Sequence, residues 1–79
     1  MPTHADIDVI LSTLNAADVG SLDSIAAKIL EVKDQLERLE QPELAARAGE
    51  VVVALTRGDL AEFKRGKAFL QSKVGHLRS

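Results

Sequence analysis

The sequence predicts an all-α chain folded as a small antiparallel four-helix bundle with short loops, and three observations carry that expectation. Two stretches repeat apolar residues at 3-4-3-4-3 spacing: Leu22, Ile25, Ile29, Val32, Leu36, Leu39, and then Leu60, Phe63, Lys67, Leu70, Val74, Leu77, where one lysine interrupts the stripe. A helix of 3.6 residues per turn gathers such positions on one narrow face, the seam that packs against another helix. Capping and breaking residues fall between the periodic stretches, where helix ends need them. Finally, Val51-Val52-Val53 leans toward β structure, but a lone strand has nothing to pair with.

The first helix is expected over about Asp6 to Ala16, with Ile7, Ile10, Leu11 and Leu14 on one face. Thr3 can cap it, and Asp6 and Asp8 sit near the positive end of its dipole. Asp18-Val19-Gly20-Ser21 breaks the pattern, and Ser21 reads as the N-cap of a second helix running to about Glu40. Asp34 and Arg38 form a favourable i,i+4 pair on its outer side. Gln41-Pro42 ends that helix, because proline disfavours helical backbone at the residue before it and suits the first position of the next helix. The third helix carries Leu44, Ala48, Val51, Val52 and Leu55 and runs to about Arg57. Gly58 can take the left-handed position that closes it, and Asp59 can cap a fourth helix reaching about Leu77.

Connections this short force successive helices to run antiparallel. The second and fourth helices are longer than the first, so part of their seam is expected to lack cover within one chain, a hint of self-association. Lys67 is expected at the seam's edge, its stem along apolar neighbours and its ammonium in water, because an unpaired buried charge is too costly.

Seventy-nine residues make a single helical domain, 1–79, near the lower size limit for an unstapled hydrophobic core. The chain has no cysteine, which removes disulfides, thiolate metal sites and a thiol nucleophile, and fits a reducing cytoplasm. No secretory pattern opens it, and its longest apolar run, Val51 to Leu55, is far short of the ~20 residues that cross a bilayer. Phe63 and Phe69 are the only aromatics, which speaks against base stacking and leaves a partner to be gripped by aliphatic side chains. Residues 1–56 hold ten acidic and four basic side chains, a balance of −6; residues 57–79 hold two and six, a balance of +4. The basic C-terminal helix can therefore lie against its own acidic neighbours or meet an acidic partner.

Four short motifs carry chemistry elsewhere. Arg57-Gly58-Asp59 spells the adhesion tripeptide, but a helix stop followed by a helix start accounts for the same letters. Leu44-Ala45-Ala46-Arg47-Ala48-Gly49, with Leu55, resembles a repressor-type helix-turn-helix, which implies a DNA-binding regulator. The would-be recognition helix reads Glu50-Val51-Val52-Val53-Ala54-Leu55-Thr56, an inventory unlike the polar side chains that read base edges. Gly20-Ser21-Leu22-Asp23-Ser24-Ile25 resembles the loop of acyl carrier proteins, which implies phosphopantetheine attachment at Ser24. It departs from that family in its short preceding loop and the glycine's position. If Met1 is removed, His4 becomes third in the chain, where the terminal amine, amides and imidazole could chelate Cu(II) or Ni(II); neither this nor any other pattern motivates a cofactor. Catalytic machinery lacks parts, with no Gly-rich phosphate loop and no triad context for His4 or His76. His76 instead suits the last turn of a helix, where it meets the dipole.

These readings leave a small non-enzymatic adaptor or chaperone-like module that binds another protein or a second copy of itself, without nucleic acid or membrane. The expected contact surface is Phe69, Val53, Lys73 and His76. Projected at 100° per residue, Phe69 lies roughly 120° from the Phe63–Leu70–Val74–Leu77 stripe, sharing its flank with Gly66, Lys73 and His76. Val53 lies roughly opposite Leu44, Val51 and Leu55 on the third helix. Two such residues on consecutive helices would mark an interface if they form a patch.

Overall fold

The computed structural model describes residues 4–17 and 20–77, the side chains of His4 and Ala5 excepted. The Thr3 cap, the break at Asp18-Val19, the His4 chelate and Arg78 lie outside the described residues. Four helices follow one another, α1 (His4–Asn15), α2 (Leu22–Arg38), α3 (Pro42–Thr56) and α4 (Leu60–Leu77), with no strand among the described residues. The valine run is helical: its β preference is a matter of tenths of a kcal/mol per residue, while helix packing buries Val51 in the core.

Local chemistry sets the helix ends. Ser21 sits in extended backbone and its Oγ accepts from the Ser24 amide at 3.2 Å, the expected N-cap of α2. At the end of α3 the Gly58 amide donates to the Leu55 carbonyl and the Asp59 amide to the Ala54 carbonyl, while Gly58 stands at φ 79°. This paired closure is the Schellman arrangement. Asp59 then starts α4, its Oδ1 accepting from the Glu62 amide at 3.1 Å. The same closure ends α2 two residues before the expected Glu40. Glu40 occupies the left-handed position at φ 60°, its amide donating to Glu37 and the Gln41 amide to Leu36. Pro42 opens α3 behind Gln41, which makes no side-chain cap.

Three-residue turns, 39–41 and 57–59, reverse the chain between α2, α3 and α4. Each helix packs on the next, and α1 also packs on α4, so the bundle closes into a ring. The diagonal pairs α1–α3 and α2–α4 have no Cα approach within 8 Å; side chains fill the space between them. Those side chains are Ile7, Ile10 and Leu14 of α1, Ile25, Ile29, Val32 and Leu36 of α2, Ala48, Val51 and Leu55 of α3, and Phe63, Leu70 and Val74 of α4. Ala17, Ala45 and Ala54 complete the core, and no described polar or charged side chain is buried.

The two seams hold in their middles and fail at their starts. Leu22 and Leu60 are 60% and 54% exposed, whereas Leu39 and Leu77 are half-buried. The reason is where α1 sits. Gln71 Nε2 donates to Asn15 Oδ1 at 2.8 Å and Lys28 Nζ to the Ala16 carbonyl at 3.3 Å. The C-terminal end of α1 therefore stands beside the middle of α2 and the second half of α4. The N-terminal ends of α2 and α4 project past it, with Leu22 and Leu60 uncovered. Lys67 is half-buried at the seam.

Candidate interaction surface

The surface begins with a glycine. Gly66 is buried, and a Cβ built on it would collide with Val51 Cγ2, so α3 and α4 approach closely only because this position carries no side chain. That approach lays Arg47 of α3 across the junction. Its Nη1 lies 3.3 Å from Glu50 Oε2 and its Nη2 3.4 Å from Glu62 Oε1, while Glu62 Oε2 lies 2.9 Å from Arg65 Nη2. The Arg47 guanidinium carbon stands 5.5 Å from the centroid of the Phe69 ring, and Lys73 Nζ stands 5.7 Å from it. Both distances fall within the range in which a cation is attracted to the negative face of a ring.

Phe69 is thus outside the core, 41% exposed, and held by two cations. Val53 is 53% exposed. It lines a groove of about 570 Å³ together with Ala46, Arg47, Gly49, Arg57 and Glu62. Lys73 and His76 line a second groove of about 400 Å³ with Pro42, Glu43, Leu44 and Leu77. The four residues expected at the contact surface therefore follow one side of the α3–α4 junction. Val53 and Phe69 are joined through Arg47, and Phe69 is joined through Lys73 to His76. What joins the two apolar residues is a guanidinium rather than an apolar patch.

Sequence reasoning missed Arg47, because its importance depends on the approach of α4. The available signal was Gly66, a glycine inside a helix on the flank facing α3, which marks close packing of another element. The other motifs resolve into local structure. Gly49 lies within α3, which is continuous from Pro42 to Thr56, so the turn that a helix-turn-helix requires is not formed. Ser24 sits half-buried in the first turn of α2, where its amide serves the Ser21 cap. Arg57-Gly58-Asp59 is the closure of α3 and the start of α4. Among the described residues no three His, Asp or Glu side chains converge on a metal position, and no helix is long and apolar enough to cross a membrane. Comparison with protein-family models, with curated proteins and with solved structures returns no match.

Proposed function

We propose that the chain is a non-enzymatic protein–protein interaction module, an adaptor or chaperone-like bundle of the cytoplasm. It engages another protein, or a second copy of itself, through the α3–α4 junction. The observation that carries this reading is Phe69. A large aromatic stands outside a filled core, partly open to solvent and gripped by Arg47 and Lys73. Aromatic residues and arginine are the side chains that dominate the energetics of protein interfaces. Val53 in the adjoining groove adds aliphatic surface beside the same Arg47.

Phe69→Ser tests the reading. The variant is expected to keep its helicity and to melt close to the parent chain, while losing about 1–3 kcal/mol of self-association or partner capture. Light-scattering mass and pull-down from native lysate, run on both chains, supply the comparison. Unchanged mass and unchanged capture, beside a far lower melting temperature, would make Phe69 a packing residue and remove the proposal.

A further inference from the structure

We infer that the occupant of the α3–α4 junction is an acidic amphipathic helix of another protein, seated with an aliphatic side chain on the Phe69 ring and a carboxylate at Lys73. This rests on the interaction reading above and adds the chemistry of the partner. Arg47 spends its charge on Glu50 and Glu62, but Lys73 makes no ion pair among the described residues and is positioned against Phe69 alone. Below the ring, Lys73 and His76 border a groove whose apolar lining is Pro42, Leu44 and Leu77. Glu43 is the one carboxylate along it. A strip with an aromatic at its centre, aliphatic residues in the groove below and an uncommitted ammonium between them complements a helix that alternates aliphatic and acidic positions.

Two other occupants fit the same surface less well. A second copy meeting it about a twofold axis places the patch against itself, and brings the uncommitted Lys73 ammonium toward its own counterpart instead of a carboxylate. A nucleic-acid backbone needs a continuous row of uncommitted cations, and Lys73 is a single one, since Arg47 is already paired with Glu50 and Glu62. The basic residues Lys64, Arg65, Lys67 and Lys73 also scatter around α4 rather than forming one stripe for phosphates.

The test uses a pair of 18-residue helical peptides with the same leucines at i, i+4 and i+7, one carrying glutamates on the flanking positions and the other lysines. Binding is followed by amide chemical shifts of the ¹⁵N-labelled full chain. The glutamate peptide should shift amides around Arg47, Phe69 and Lys73, weaken as salt is raised, and bind about tenfold less tightly to Lys73→Glu, with Lys73→Gln between the two. The melting temperature of both lysine variants should stay within a few degrees of the parent, since the residue is exposed. The inference is overturned if the lysine peptide binds equally well or if the shifts map to another face. It also falls if duplex DNA occupies the junction at physiological salt, or if the chain is a dimer that Phe69→Ser dissolves. Loss of partner capture in Phe69→Ser, with no charge preference between the peptides, would leave the interaction reading standing and remove only the acidic partner. No effect of Phe69→Ser on capture or peptide binding would remove both.

Discussion

Glu40 is the one described residue other than glycine held at positive φ. A side chain there costs of order 1 kcal/mol, since Cβ crowds the backbone in the left-handed region. Glu40→Gly should therefore stabilise the bundle by about 0.5–1 kcal/mol, read as a higher denaturation midpoint at unchanged slope. Glycines inside α4 divide the opposite way. Gly66→Ala gains helix propensity but drives a methyl into the stiff, branched Val51, and a net loss of about 1–3 kcal/mol is expected. Adding Val51→Ala should restore part of that loss, a non-additivity that a double-mutant cycle would read directly. Gly75→Ala meets nothing within 4 Å and should stabilise by up to about 1 kcal/mol. If Gly66→Ala and Gly75→Ala behave alike in chemical denaturation, the close approach of α3 and α4 at Gly66 is wrong.

At the scale of the element, α3 separates two readings of one segment. In a helix-turn-helix, Gly49 would occupy a turn that resists a side chain. Here it lies mid-helix without positive φ, and a Cβ would rest at an ordinary 3.5 Å from Lys33 Cε. Gly49→Ala should stabilise α3 by about 0.5–1 kcal/mol, whereas a loss in thermal denaturation would reinstate the turn. Helix ends are legible wherever the residue type itself sets the end. Ser21, Pro42, Gly58 and Asp59 act through bonds or backbone restraints within a few residues of themselves, so their meaning survives without tertiary context. The end of α2 falls two residues before Glu40 and is not marked in the sequence, because its left-handed position is filled by a glutamate that carries no such signal. Periodicity places Leu22 and Leu60 on the seam because it reports which face they share. Whether that face is covered depends on how far along the bundle α1 is docked.

For the whole molecule, the distribution of exposed apolar residues bears on association. Phe69 and Val53 flank the α3–α4 junction, whereas Leu22 and Leu60 mark the end of the bundle that α1 leaves uncovered. Should self-association instead use that end, Leu22→Ser with Leu60→Ser would lower the light-scattering mass of an associating chain while Phe69→Ser would not. With a helix of another protein seated on the α3–α4 junction, neither change alters the mass, and only Phe69→Ser loses partner capture. Phe69 and Val53 could be picked out of the sequence because angular projection along one helix needs no knowledge of its neighbours. Their connection through Arg47 could not, since it arises from the distance between two helices. That distance is set by the missing side chain at Gly66 and the branched one at Val51.

The ring closure has a consequence for chain order. Because α1 lies against both α2 and α4, its link to α2 is no more necessary to the packing than a link to α4 would be. A circular permutant that starts at Gly20, keeps the Ser21 cap, and joins α4 to α1 through a flexible glycine–serine segment retains every helix–helix pairing. It should fold to the same bundle, with α1–α2 rather than α1–α4 as the pair brought together across the greatest length of chain. The order in which the helices are translated would then be incidental to the architecture, and the closed ring of contacts would be what specifies it.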